Sequence, residues 1–348
     1  MIDPRRLRVL RALADHGTVT AAARALYLTP SAVSQQLAAL ESEVGQPLLD
    51  RRGRAVRLTA AGEILASHAS AVLAQLERAE ADLAACASGA TGRVVVAAFA
   101  TAITMVVAPA IAALRVRAPE VEVLVRDAEG HASLPLLLAG EVDMAIAMDY
   151  RGAPGADDER LSRAPLYAEP FDAVLPAAHR LAGHRAVAVA DLATEEWITP
   201  WPGNPCHDVV QLACENAGFQ PRVAHSSDDF RAICALAGAG VGVALVPRSA
   251  LRGVELRDAV IRPVAGRPPT RRVFAALRRG GERHPLLGMT LDALRTAAES
   301  LDDSGGEPVV GSVTGPHTEP LAGAAAGPVS GPVVEPGAGP ADEPRETL

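Results

Sequence analysis

Residues 18–62, TVTAAARALYLTPSAVSQQLAALESEVGQPLLDRRGRAVRLTAAG, constrain the fold more tightly than any other stretch of this chain. Within them a short alanine-rich helix (Ala21, Ala22, Ala23, Leu26) is followed by a brief turn at Tyr27 and Leu28 and then by a second helix. Thr29 is a strong N-cap, because its hydroxyl accepts an orphan backbone N–H, and Pro30 fits the first helical position, where a missing donor costs nothing. Val33, Leu37, Leu40 and Val44 recur at helical spacing and leave Ser31, Ser34, Gln35 and Gln36 on the other face. Gly45 is the expected C-cap. Arg51, Arg52, Arg54 and Arg57 then flank Gly53 in a stretch that reads as a hairpin. Upstream, Asp3 and Pro4 open a helix carrying Leu7, Leu10 and Leu13, which Gly17 closes.

Three helices and a basic hairpin in this order predict an all-α winged helix-turn-helix. A polar helix face suits the major groove, where hydroxyls and amides meet base edges and the helix N-terminus favours phosphate. Thr29, Pro30, Ser31, Ser34 and Gln35 are therefore the candidate base- and backbone-contacting residues. Arg51, Arg52 and Arg54 are the candidate phosphate or minor-groove contacts, supplying affinity more than sequence choice. The competing reading is a small helical domain whose arginines form only a solvated face.

The motifs AAARAL, TPSAVSQQLAALESEVGQPLLDR and RLTAAG are similar to the N-terminal signature of the LysR-type transcriptional regulators. Gln35 stands where many members carry arginine or lysine, and Leu49 where phenylalanine is frequent. The resemblance extends to about residue 300. It implies a long dimerisation helix, then a two-subdomain α/β periplasmic-binding-protein-like effector domain, and tetramers built from dimers.

A chain of 348 residues exceeds one ordinary domain, and 49% hydrophobic residues suffice for a buried core. The four cysteines form no CxxC pair, so neither a zinc site nor a disulfide framework is expected. No apolar run is read as reaching the roughly 18 residues of a membrane span, and arginines interrupt the N-terminus where a signal peptide would be apolar. The cytoplasm is the expected compartment, with no membrane partner. The net charge of −8 is uneven. Residues 1–65 hold nine arginines against six acids, whereas residues 302–348 hold eight acids and one arginine, so the DNA-facing part is locally basic.

After Thr59, a further N-cap, Leu65, Ala69, Val72, Leu76, Ala79, Leu83 and Cys86 alternate spacings of four and three. That heptad seam, roughly 33 Å long, needs a partner, either a second copy of the chain or this chain's own next domain. Small residues at 88–92 suggest a hinge. Strand and helix patterns then alternate: strands over 93–100, 121–127 and 142–148, a helix over Ile103–Ala118 and another over Ser133–Ala139, predicting a largely parallel sheet. A second cycle follows with strands at 171–176, 197–199, 221–226 and 241–247, helices over Asp208–Ala217 and Asp228–Ala237, then a returning strand at 271–277 and a terminal helix ending near Ser300.

The domain boundaries read from these patterns are 1–58 for the DNA-binding domain, 59–91 for the linker helix and hinge, and 92–300 for the effector domain. Within the last, 92–163 with 269–300 make one subdomain and 164–268 the other. Residues 301–348, with nine glycines and eight prolines after residue 301, read as a disordered acidic tail.

Ligands of two-lobed α/β folds bind at strand carboxyl ends beside helix starts. Thr101, Thr104, Ser133, Pro200, Trp201, Ser226 and Asp228 are the candidate effector contacts by that logic. Thr104, Ser133, Ser226 and Asp228 are equally candidates for N-caps. His131, His207 and His225 fit neither HxxxH nor HExxH, no serine sits in GxSxG, and GAGVGV (238–243) precedes a strand instead of following one. No cofactor, metal or catalytic group is expected. The expected partners are double-stranded promoter DNA, a small-molecule effector and the chain itself, with RNA polymerase left open. An enzyme on the α/β region and a weakly selective nucleoid-type binder are the rival classes.

Overall fold

The helix starts and stops of the N-terminal head are set by local chemistry. In the computed structural model, which describes residues 2–50, 56–86, 91–155, 157–254 and 256–303, the Asp3 carboxylate accepts from Arg5 N at 2.8 Å and opens α1 (Pro4–His16). The Thr18 hydroxyl accepts from Ala21 N at 3.1 Å and opens α2 (Val19–Ala25). Thr29 accepts from Ala32 N at 3.2 Å and opens α3 (Pro30–Val44). Gly17 and Gly45 close α1 and α3 in the left-handed conformation. The apolar faces meet in a core that includes Leu10, Val33, Leu37 and Leu40. Glu41 Oε1 accepts from Leu48 N at 2.8 Å and Leu49 N at 3.0 Å, tying α3 to the short hairpin β1 (Leu49–Asp50) and β2 (Arg57–Leu58).

Thr59 caps the linker helix α4 (Ala60–Cys86), accepting from Gly62 N at 3.1 Å while donating to Pro47 O at 2.8 Å. At 27 residues α4 runs about 40 Å. Gly62 is required there, since a Cβ would stand 2.2 Å from Leu48 O. The expected heptad seam divides between two faces. Ala69 is buried and Leu65 packs on the head core, whereas Val72, Leu76 and Leu83 stay exposed, Leu83 at 72%. The reason is that Ala66, Ala74 and Ala81, which lie off the seam, are buried beside Ala69 in a stripe flat enough for α1 and the turn at Gly281–Arg283 to approach. At Gly280, with φ +101°, a Cβ would meet Ala74 O at 2.2 Å. The side chain of Cys86 and most of the expected hinge at 88–92 lie outside the described residues.

The α/β domain opens with β3 (Gly92–Ala98), then α5 (Ala100–Ala102), a π-helical turn (Ile103–Val107) and α6 (Ala108–Arg117). Next come β4 (Val121–Asp127), α7 (Gly130–Ala139), β5 (Met144–Met148) and the long β6 (Leu161–Pro176). The second lobe holds β7 (Glu196–Thr199), α8 (Pro205–Asn216), β8 (Arg222–Ser226), α9 (Phe230–Gly238), β9 (Ala244–Pro247) and β10 (Ala259–Pro263). Strand β11 (Thr270–Arg278) returns to the first lobe and α10 (Pro285–Asp303) ends the described chain.

The main sheet runs β10-β6-β11-β5-β3-β4, with β9 also on β6. Only β3 with β4 and β5 is parallel within it; β11 is antiparallel to β5 and β6, and β6 to β9 and β10. The separate pair β7–β8 is parallel. The sheet is therefore mixed, not largely parallel, because β6 leaves the first lobe and β11 comes back beside it. Hydrophobic runs carry no sign of direction. Strand β6 also begins ten residues before its expected start, where Pro165 and Pro170 interrupt the strand pattern.

The segment Ala100–Arg117 corrects another expectation. It spans 18 residues at mean hydropathy 1.5, enough by length and composition to cross a membrane. Here Ala102, Val106, Val107, Ala110 and Leu114 join the core cluster that contains Val94 and Val96 of β3. Helix α10 continues to Asp303, and the remainder of the expected disordered tail, 304–348, lies outside the described residues.

Two glycines test this packing. Gly62→Ala is expected to cost about 1–3 kcal/mol in urea unfolding, through the clash with Leu48 O. Gly288→Ala, inside α10 with nothing within 4 Å of the new Cβ, is expected to stabilise by about 0.5–1 kcal/mol. Equal effects would contradict the close approach at Gly62.

Candidate nucleic-acid interface and effector cleft

The polar face of α3 is free. Thr29, Pro30, Ser31, Ser34 and Gln35 are all exposed, with the Thr29 hydroxyl already serving as the cap. Gln36 is turned aside: its Oε1 accepts from Arg6 Nε at 3.4 Å, and Arg6 also pairs with Glu43. This brace holds α3 against α1 and leaves Ser31, Ser34 and Gln35 without a structural task among the described contacts. The pairing of Asp50 with Arg57 brings the two ends of the basic stretch together. Arg51, Arg52 and Arg54 themselves lie outside the described residues.

Between the lobes of the α/β domain lies a cleft of about 690 Å³. Of the seven expected contacts, it brings together Thr101, Thr104 and Asp228. Thr101 and Thr104 sit where α5 passes into the π-helical turn, a distortion often found at functional sites. Thr104 is not a cap; its hydroxyl donates to Ala100 O at 3.1 Å. Asp228 is not the cap of α9 either, a role taken by Asp229, whose carboxylate accepts from Arg231 N at 2.8 Å. Asp228 Oδ1 instead accepts from Trp201 N at 3.0 Å and Asn204 Nδ2 at 3.1 Å, pinning the loop before α8.

The other four candidates do not line the cleft. Ser133 is fully buried in α7, because that helix starts at Gly130 instead of at Ser133, and its hydroxyl reaches Gly130 O at 3.5 Å. Pro200 O faces His207 Nδ1 at 2.9 Å, Trp201 is 58% exposed, and Ser226 is paired with Thr199 in the β7–β8 register.

The cleft lining also includes Arg271, which sequence reasoning missed. Its side chain is buried, with Nε and Nη2 on Glu169 Oε1 at 2.7 and 2.6 Å. Nη2 also donates to Thr101 Oγ1 at 2.7 Å and Ser249 Oγ at 3.2 Å, and Nη1 lies 3.6 Å from Cys206 Sγ. Glu169 accepts in addition from Ser249 N at 2.7 Å and Ser249 Oγ at 2.9 Å. The available signal was phase: in RRVFAAL, Arg271 shares its parity with Val273, Ala275 and Leu277, which face the main core, while Arg272 points out.

Burial works against the Arg271 charge, but the ion pair and hydrogen bond with Glu169 together with the neighbouring Cys206 and Tyr167 outweigh it and hold the guanidinium protonated above its ordinary range. Glu129, also in the lining, is pushed up to about 7 by burial, against the pull of Arg271, with Asp228 and Asp127 adding to the rise. The Cys206 thiol is pushed up to about 11, chiefly by burial and in spite of Arg271. The cleft lining thus includes a buried cation paired with Glu169 and a carboxyl group, Glu129, whose pKa burial raises to about 7.

The family profile described as "Bacterial regulatory helix-turn-helix protein, lysR family" matches residues 4–63, and that described as "LysR substrate binding domain" matches residues 87–299. The HTH-type transcriptional regulator AlsR of Bacillus subtilis is 31% identical over 253 residues, 72% of this chain and 82% of that protein. MetR of Salmonella typhimurium is 29% identical over 283 residues, 81% of this chain and 86% of that protein. Among solved structures, a full-length OxyR variant from Pseudomonas aeruginosa superposes with TM-score 0.57 at 23% identity, covering 85% of this chain and 95% of that one, a likeness of fold.

The raised Glu129 pKa has a stability consequence of definite sign. A carboxyl group that holds its proton more tightly when folded supports folding fully below its unfolded pKa near 4.5 and loses that contribution as pH rises through about 7. Relative to Glu129→Gln, the parent protein is expected to lose roughly 2 kcal/mol of stability between pH 5 and pH 8 in urea unfolding, a figure reduced for partial solvent screening. Parallel pH profiles for the two proteins would contradict the buried setting of Glu129.

Proposed function

This chain belongs to the LysR family of bacterial transcriptional regulators, and on that premise we propose that α3 enters the major groove of promoter DNA and that a small effector in the interlobe cleft controls how two such heads are spaced. It is a DNA-binding transcriptional regulator with an effector-binding domain. The observation that carries the residue-level reading is the uncommitted polar face of α3. Ser31, Ser34 and Gln35 project from a helix whose other side is locked into the head by Leu37, Leu40 and the Arg6–Gln36–Glu43 brace. Gln35 offers an amide that can pair bidentately with adenine, while Arg51, Arg52 and Arg54 supply phosphate contacts.

Self-association follows from apolar surface that this chain leaves uncovered. Val72, Leu76 and Leu83 recur along the outer face of α4, which suits the same helix of a second copy. A two-fold dimer places two recognition helices for an inverted repeat with half-sites about one helical turn apart, or multiples of it. A second uncovered set supports the tetramer: Val116, Leu124 and Val125 on the first lobe, and Leu212 and Val223 on the second. The effector binds between the lobes, with Thr101, Thr104 and Asp228 as contacts and Arg271 fixing the wall behind them.

Gln35→Ala is expected to weaken specific operator binding by about 1–3 kcal/mol and nonspecific binding far less, whereas Arg54→Ala weakens both and lowers the salt slope by about one, read by fluorescence polarisation at several salt concentrations. Equal losses for the two substitutions would undo these roles. Leu76→Glu is expected to shift the protein toward smaller species in sedimentation. An unchanged distribution would remove α4 from the interface.

A further inference from the structure

A second cavity, of about 390 Å³, lies between the head and the first lobe of the α/β domain, which belong to one compact unit. It shares no lining residue with the interlobe cleft. Its walls come from α1, the end of α2 and one face of α4 on the head side, and from α7, residues 150–160 and the end of β11 on the lobe side, so it exists only while the head is seated on the first lobe. Its volume falls within the range typical of small-molecule sites.

The lining has two kinds of surface. Leu26, Leu73, Leu134, Pro135 and Leu138 make an apolar wall. Against it stand five arginines, Arg8, Arg11, Arg160, Arg278 and Arg279, and only two carboxylates, Asp15 and Glu77. The carboxylates are already engaged: Asp15 with Arg11 at 2.7 Å and with Arg160, Glu77 with Arg278 at 2.6 Å and Arg8 at 3.6 Å. Asp158 and Asp143 clamp Arg160 and Arg278 from outside the lining, and cations remain in excess even when both are counted. Arg11 is held at the wall through its terminal nitrogens, which reach Asp15 and Ala66 O.

We propose that this cavity is a second ligand site, for a small organic acid with an apolar body, its carboxylate set among the arginines and its body against the leucine wall. Such a ligand binds only the seated arrangement of head and lobe and so favours it by mass action. Helix α7 joins this site to the cleft. Glu129, the residue preceding α7, lines the cleft, and His131, Leu134, Pro135 and Leu138 line the cavity from about half a turn to two and a half turns further on.

The test is calorimetric titration of the full chain with sodium octanoate and 4-phenylbutyrate, with octylamine as the charge-reversed control. Saturable binding of at least one acid is expected, weakened about tenfold or more by Leu138→Trp, which fills the cavity, and little changed by Thr104→Trp, which obstructs the cleft. Octylamine is expected to bind at least about tenfold more weakly. Ser70→Trp fills the cavity from a half-exposed position on α4 and carries the same test should Leu138→Trp fail to fold. The proposal is overturned by no saturable binding of either acid up to about 5 mM. It is equally overturned by binding that the cavity-filling variant leaves intact, or by binding that Thr104→Trp abolishes.

Discussion

The α/β domain depends on the buried pair between Arg271 and Glu169. A guanidinium taken wholly out of water is costly unless its charge is paired and its donors are used. Here Glu169 supplies the countercharge from the neighbouring crossing strand, Thr101 accepts from the first lobe, and Ser249 accepts from the second. Strands β6 and β11 both pass between the lobes, and the pair is welded across them. One ion pair thereby fixes the two lobes at the base of the cleft and presents Thr101 to its interior. Removing either partner strands the other, so the interaction sets geometry more than it adds net stability.

Charge organises the rest of the molecule as well. Within the head, Arg6 braces two helices internally through Gln36 and Glu43. The junction between head and first lobe is likewise built from arginine and carboxylate pairs, Arg160 with Asp15 and Arg278 with Glu77, with Arg126 stacked over Tyr27 at 5.5 Å. Ionic and stacking contacts of this kind are specific in geometry but modest in strength.

The sequence was most readable where structure is decided by local chemistry. Asp3, Thr29, Gly17 and Gly45 act within a few residues of themselves, so these helix starts and ends of the head follow from the chain alone. Readability fell wherever a distant segment decides the outcome. The α4 seam is partly diverted because alanines on another face accept α1, and β6 extends through two prolines because β11 pairs with it. Arg271 was hidden inside an apolar strand, and Glu129 draws its character from burial that no spacing reveals. Ser133, Pro200, Trp201 and Ser226 were placed by their proximity to strand ends, yet which strand ends converge is a property of the lobes' packing.

In the proposed function the head reads sequence as part of a symmetric assembly. Titrating the purified full chain against its own upstream intergenic DNA, with scrambled DNA as competitor, while measuring the mass of the complex, tests this. The prediction is salt-sensitive, sequence-selective binding by a dimer or tetramer. Equal affinity for upstream and scrambled DNA, or binding by monomers alone, would contradict it.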